Sequence, residues 1–168
     1  MTSGPFRIEL LSAAHDRSEF RCAEDALDRY FQTQVTQDIR RRIANCFVVV
    51  EAGASGVAAY FTLSAASISV VNLPPEVTKR LPRYPTLPAV RVGRLAVGLQ
   101  FQGRGLGALM LGEAALRVMR ADAAAFTLLV DAKNEQAVAF YRHHGFHPLL
   151  NQPLTLYLPL ATARLALR

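Results

Sequence analysis

Gln102, Gly103, Arg104, Gly105, Leu106 and Gly107 follow a run of residues with strand character and open one with helical periodicity. A helix start offers unpaired backbone N–H groups and a partial positive charge, and glycine removes the side chains that would keep an anion away from them. The chemistry this pattern suits is close backbone contact with a phosphate, with Arg104 adding a charge-assisted contact. The stretch is not a Walker A loop, because no Lys-Ser/Thr pair follows the last glycine, and it lacks the GxGxxG spacing of a dinucleotide-binding unit. Taken alone, it is a weak signal, and a tight turn that needs glycine for its backbone angles is a serious competing reading.

Charge singles out the same part of the chain. The net charge is +6 and the pI about 9.9, yet residues 1 to 42 are balanced, with seven arginines against seven acids. The excess lies beyond them, and between Glu76 and Glu113 there is no acid, whereas Lys79, Arg80, Arg83, Arg91, Arg94 and Arg104 all fall there. A stretch of one sign suits a polyanionic partner, either a cofactor phosphate or a nucleic acid. Of the 19 basic residues 17 are arginine, so a basic but merely solvated surface is the other reading, and composition does not separate the two.

The elements that must position these groups follow from periodicity. Phe6 to Leu11 alternates as a short strand, and Ser18 to Arg42 has apolar residues at helical spacing, predicting one or two amphipathic helices. Cys46 to Glu51 and Val57 to Leu63 are β-rich runs around AGASG, a hairpin signal. Residues 72 to 88 are proline-rich and predict a loop with a short helix from Pro74 to Lys79. Ala89 to Val97 reads as a strand, Gly105 to Arg120 as a helix with Leu106, Leu109, Met110, Leu116 and Met119 facing the core, and Phe126 to Val130 as a buried strand. Asn134 is a natural N-cap for a helix closing near His144, where Gly145 supplies a left-handed residue. Pro153 to Leu158 gives a last strand. This order predicts an α/β fold with helices on a mixed sheet. With 168 residues and no repeat or linker, a single domain is expected. No run approaches the ~20 apolar residues of a membrane span, and MTSGPFRIEL lacks the pattern of a signal peptide, so a cytoplasmic location and no membrane partner are expected. Cys22 and Cys46, read at a helix start and a strand start, have no metal-ligand spacing and are expected to be reduced core thiols, with no metal site.

QxxGxG, present as Gln102, Gly105 and Gly107 behind RVGRLAV, resembles the acetyl-CoA pyrophosphate loop of the GCN5-related N-acetyltransferases (GNAT). Some thirty residues on, VDAKNEQAVAFYRHHGF (Val130 to Phe146) resembles that family's second signature, an Asn-capped helix closed by FYxxxGF. The resemblance runs from about residue 6 to 160 and implies the GNAT fold, a mixed central sheet flanked by helices and splayed at the fourth strand, where Gly93 suits a bulge. It implies that backbone groups of Leu95, Ala96 and Val97 pair with the pantetheine of acetyl-CoA, that Gln102, Gly103, Arg104, Gly105 and Gly107 form the pyrophosphate loop, that Asn134 and Phe140 line the pantetheine, and that Tyr141 acts at the thioester sulfur. Tyr141, with an ordinary pKa near 10, would stay protonated and donate to the departing thiolate.

Many members of this fold use a glutamate on the fourth or fifth strand as base. Here the fourth strand has no acid, and the fifth offers only Asp131, for which a turn or loop role is expected. His143, His144 and His147 cluster at a helix end, where protonation suits the dipole and exposure is the expectation. The substrate amine therefore needs little help: an α-amino group titrates at about 7.7 to 8.0, against about 10.4 for lysine, and an adjacent ester lowers it further.

The remaining stretches are similar to the GNAT toxins of type II toxin–antitoxin modules: CAEDALDRYFQTQVTQDIRRRIANCFVVVE, YFTLSAASI, LPRYPTLPAVRVGRLAV and LYLPL. One departure is Gly98, where an acidic residue often follows the strand. That branch acetylates the amino group of aminoacyl-tRNA and stops translation. The resemblance implies that Lys79, Arg80, Arg83, Arg91 and Arg94, with Arg40 to Arg42, contact tRNA phosphates. It also implies an antitoxin partner of ribbon-helix-helix type and a homodimer. Acetylation of a protein N-terminus or a small amine is the alternative enzyme reading, and a cofactor-binding or RNA-binding module without turnover the non-enzymatic one, opposed by the intact Tyr141 and loop.

Overall fold

The computed structural model describes residues 6–166, the side chains of the last three excepted. Seven strands form one sheet in the order β1-β2-β3-β4-β5-β7-β6. Its strands are β1 (Phe6–Leu10), β2 (Asn45–Glu51), β3 (Val57–Ser69), β4 (Thr86–Val97), β5 (Thr127–Asp131), β6 (His147–Pro148) and β7 (Thr155–Pro159). The helices are α1 (Asp25–Arg29), α2 (Val35–Arg40), α3 (Pro75–Thr78), α4 (Leu106–Arg120), α5 (Glu135–His143) and α6 (Leu160–Ala166). The sheet is mixed: β1, β2 and β3 pair antiparallel, β4 and β5 pair parallel from Ala89↔Thr127 to Val92↔Val130, and β7 pairs antiparallel with β5 and β6. The predicted α/β class and mixed sheet are thus observed.

The chain forms two compact units, one comprising the chain up to Ser64 with Gly93–Glu113, the other Ala65–Val92 with the chain from Ala114 on. In the first, β2 and β3 carry the β-branched and aromatic residues a buried strand favours. The predicted hairpin turns at Ala52–Gly56, where Gly53 adopts φ +79°. A core of Phe20, Tyr30, Phe31, Val35, Cys46, Val48, Val50 and Tyr60 lies on one face, with Phe31 stacked on Tyr60 at 4.2 Å. Cys22 and Cys46 are free and buried, and burial pushes the Cys46 thiol up to about 12. In the second unit Ile68, Leu73, Leu87, Ala89, Leu129, Leu149 and Tyr157 form the core.

Several expectations need correction. The helix expected from Ser18 begins only at Asp25, because the preceding loop is held by the buried Asp28, whose Oδ1 accepts the Cys22 amide at 2.9 Å, and because Ala23 has φ +77°. Cys22 therefore belongs to that loop. Between α1 and α2 the chain makes a π-helical turn, Tyr30–Gln34. Past α2, Arg42 takes φ +59° and the Ile43 amide reaches back to the Asp38 carbonyl at 2.9 Å, the closure usually supplied by glycine. Strand β3 runs six residues past Leu63 through SAASIS, whose small residues lack strand character while Ile68 anchors the end in the core. Strand β4 starts at Thr86; Pro88 donates nothing, but its carbonyl accepts the Phe126 amide at 2.8 Å. Asp131 ends β5 and is not a turn residue, and β6 and α6 were not foreseen. On α4, Leu106 and Met110 are buried as expected, but Leu111, Ala114, Ala115 and Val118 complete the buried face while Leu109, Leu116 and Met119 are only half-buried.

Candidate active site

In the first unit the fourth strand leads into the glycine loop. At Gly93 the Arg94 amide donates to Thr62 Oγ1 at 3.0 Å, and a Cβ on Gly93 would meet that same hydroxyl at 3.1 Å. A side chain there would crowd the fully buried Thr62, whose hydroxyl would have to give by a few tenths of an ångström. Beyond it come Leu95 and Val97, half-buried, and Ala96, which packs into the core. Gly98 has a physical reason too. Its amide donates to the Ala58 carbonyl at 2.8 Å, and a Cβ there would lie 3.1 Å from that oxygen, so any side chain would crowd the β3 backbone.

Gln102 folds back over the strand end, its Nε2 donating to the Val97 carbonyl at 3.1 Å and the Cys22 carbonyl at 3.4 Å. Its side chain shapes the loop and occupies one acceptor position on Val97. Gly103 and Gly105 have φ +83° and +78°, and nothing lies within 4 Å of where their Cβ atoms would be. These glycines are therefore required by backbone conformation and border open space, which is what a phosphate cradle needs. The loop passes through Leu106, which is buried, into α4, whose ladder begins with the Leu109 amide on the Gly105 carbonyl at 3.1 Å. Arg104 is exposed, with Nη1 3.8 Å from Glu51 Oε2 and its guanidinium over the Phe101 ring at 5.4 Å. Glu51 and Phe101 were missed by the sequence reading, since only the fold sets them beside the loop.

In the second unit α5 carries three of the expected residues. Asn134 caps it, Oδ1 accepting the Ala137 amide at 2.9 Å, so this oxygen is committed to the helix. Gly145, at φ +95°, ends it as predicted. Phe140 is half-buried and packs edge-on against Tyr141 at 5.4 Å, and Tyr141 packs edge-on against Phe146 at 5.7 Å. The Tyr141 side chain is buried, 9% exposed, and burial first and the Asp131 carboxylate second push its hydroxyl above its ordinary pKa. Tyr141 is therefore a neutral O–H donor at any physiological pH.

Asp131 is tied down on both oxygens: Oδ2 is paired with Arg91 Nη1 at 2.5 Å and Oδ1 accepts from Thr155 Oγ1 at 2.9 Å. His143 is exposed as expected, but His144 is half-buried against Phe140 at 4.8 Å, and burial and then His143 lower its pKa. The dipole argument fails for His144 because the aromatic contact desolvates the ring. Of the basic residues, Lys79, Arg80 and Arg83 are exposed around and after the end of α3, whereas Arg91 is spent on Asp131. In the first unit Arg94 lies over the face of Tyr30, 3.6 Å from its centroid, and Arg40 to Arg42 are exposed at the end of α2. Among the described residues no group of His, Cys, Asp or Glu could hold a metal, and no helix is long and apolar enough to cross a membrane.

Comparison with known proteins agrees with this geometry. The chain is 33% identical over 164 residues to the tRNA-acetylating toxin of Mycobacterium tuberculosis, covering 96% of this chain and 95% of that one. The structure of AtaT complexed with acetyl-methionyl-tRNAfMet superposes with a TM-score of 0.90 at 29% identity, covering 97% of this chain and 99% of that one. A mutant AtaT toxin bound to the C-terminus of the antitoxin AtaR and acetyl-CoA gives 0.82 at 27% identity, over 96% and 98% of the two chains. The family model of the acetyltransferase (GNAT) domain matches residues 43–148, across both the glycine loop and α5, and the chain belongs to that family.

Proposed function

We propose that the protein is the toxin of a type II toxin–antitoxin module, transferring acetyl from acetyl-CoA to the α-amino group of aminoacyl-tRNA and so blocking translation. The observation that carries this is the likeness, over nearly its whole length, to a tRNA-acetylating toxin. The family model runs through residues of both units, which supports one catalytic domain.

The open, positive-φ backbone at Gly103 and Gly105 fits a pyrophosphate, with Gly107 at the start of α4 and Arg104 alongside. Leu95, Ala96 and Val97 would offer backbone groups to the pantetheine, Gln102 would hold the loop in shape, and Asn134 and Phe140 would line the arm. Bound acetyl-CoA supplies the activated acetyl group as a thioester. Tyr141 keeps its proton because burial and Asp131 disfavour the phenolate, and its O–H is the donor suited to a sulfur anion. No base is assigned. Asp131 is held by Arg91 and Thr155, and an ester-linked α-amine is already partly neutral near pH 7. Lys79, Arg80 and Arg83, exposed and followed by no acid before Glu113, would contact tRNA phosphates, as would Arg40 to Arg42. A cytoplasmic location, a homodimer and an antitoxin of ribbon-helix-helix type complete the reading. The complex of AtaT with AtaR supports an antitoxin partner.

Cell-free translation with the purified protein tests it. Inhibition that requires acetyl-CoA, with an acetylated amino acid recovered by mass spectrometry after tRNA deacylation, is the expected result. Unimpaired translation with no acetylated amino acid would overturn it.

A further inference from the structure

Among the described residues Arg7 and Arg91 pair with Glu9 and Asp131, Arg17 and Arg21 donate to the Phe31 and Phe20 carbonyls at 2.7 Å, and Arg104 faces Glu51. Arg94 is held differently. Its guanidinium carbon sits 3.6 Å above the Tyr30 ring, and among the described residues its side-chain nitrogens make no hydrogen bond. No buried side-chain nitrogen or oxygen among these residues lacks a partner, so the unbonded nitrogens of this half-buried guanidinium keep contact with solvent.

Tyr30 is itself fixed. It is 7% exposed, its hydroxyl donates to Asp38 Oδ2 at 2.8 Å, and the other Asp38 oxygen accepts from Gln34 Nε2 at 3.3 Å. It opens the π-helical turn Tyr30–Gln34, in which the consecutive residues Tyr30 and Phe31 are both buried. Such turns are rare and concentrate at functional positions. The backbone of Arg94 is pinned as well, by Thr62. A stack on a neutral ring orients a guanidinium without cancelling its charge, and it leaves the in-plane N–H fork for a planar or tetrahedral oxyanion.

We propose that Tyr30, braced by Asp38, is a positioning residue that presents Arg94 as a preformed receptor for one phosphate of the RNA substrate near its reacting end. Arg94 immediately precedes Leu95–Val97, so that phosphate lies close to the strand assigned to the acetyl-CoA arm. This rests on the functional reading above and adds to it the device that orients one contact.

The test uses the full chain and two readouts in parallel: acetylation kinetics with aminoacyl-tRNA, and equilibrium binding of deacylated tRNA, each across a salt series. Tyr30→Leu is expected to raise KM for aminoacyl-tRNA about tenfold with kcat changed less than about twofold. It should also flatten the salt dependence of tRNA binding by one phosphate contact, a log–log slope change of about 0.7 to 0.9. Arg94→Ala should give the same slope change, and the double variant should be no worse than Arg94→Ala alone. Tyr30→Trp, which keeps a ring under the guanidinium, should restore most of the affinity. Tyr30→Phe loses only the bond to Asp38 and should fall between, which serves if Tyr30→Leu folds poorly. A folded Tyr30→Leu or Tyr30→Phe whose salt slope and KM match the parent overturns the proposal, as does a double variant in which the two effects add. Absence of acetylation by the parent protein would sink the functional reading instead, while the slope changes in tRNA binding would still sustain or refute the phosphate receptor.

Discussion

The glycine loop of residues 102–107 and helix α5 would perform their proposed roles by opposite means. The loop works through backbone: Gly103 and Gly105 are exposed, carry no side chain and hold angles that few other residues tolerate. Helix α5 works through a side chain, Tyr141, held by aromatic packing, with Asn134 at one end and Gly145 at the other fixing the helix that carries it. An anion receptor is built from groups every residue has, so its mark is what is missing. A proton donor needs a particular functional group in a particular environment.

That contrast can be tested from both sides. Removing the Tyr141 hydroxyl should have the largest effect: Tyr141→Phe is expected to lower kcat by 100-fold or more while acetyl-CoA affinity, followed by calorimetry, stays within about twofold. Equal losses in both would make the tyrosine a packing residue. On the backbone side, Gly105→Val forces a β-branched side chain to φ +78° and into the open space, and should weaken acetyl-CoA binding about tenfold or more with Tyr141 untouched. Unchanged binding would remove the loop from the cradle. Next, Asn134→Ala deletes the cap and should cost about 1 kcal/mol, or about 2 to 4 °C in melting temperature. The smallest effect concerns pH. Because His144 is held below its ordinary pKa near 6.5, the unfolded chain takes up its proton first as pH falls. Its contribution to stability is then complete above pH 6.5 and is lost on acidification through the lower folded value. His144→Gln should flatten the decline of melting temperature below pH 6.5, and an unaltered profile would show that the ring is not desolvated.

Both halves of this comparison were legible in the residues because they are local. Gln102 to Gly107 and Asn134 to Gly145 are short segments whose caps and turns connect neighbours a few residues apart, the reach of Gln102 to the Cys22 carbonyl excepted. What escaped is tertiary. The stack of Arg94 on Tyr30 joins residues far apart in the chain, and the π-helical turn that sets it up leaves no periodicity to read. Arg91 and Arg94 looked equivalent on one strand, and only the fold assigns one to a carboxylate and the other to a ring. The late start of α1 was hidden for the same reason: Ser18 to Glu24 has helical spacing, but the buried Asp28 side chain claims the Cys22 amide. Strand β3 reads as shorter than it is because alanine and serine speak weakly for strand.

The close approach at Gly98 bears on how this enzyme could be re-engineered. Anyone wishing to graft a carboxylate base just past the fourth strand would meet the Ala58 carbonyl 3.1 Å from the first carbon of the new side chain, with Phe101 and Phe20 each at 3.6 Å. The obstacle is main chain in the middle of a sheet, which cannot swing aside as a side chain would. Such a redesign would have to make a few tenths of an ångström of room against β3, and catalysts evolved from this scaffold for less acidic amines should find their base elsewhere.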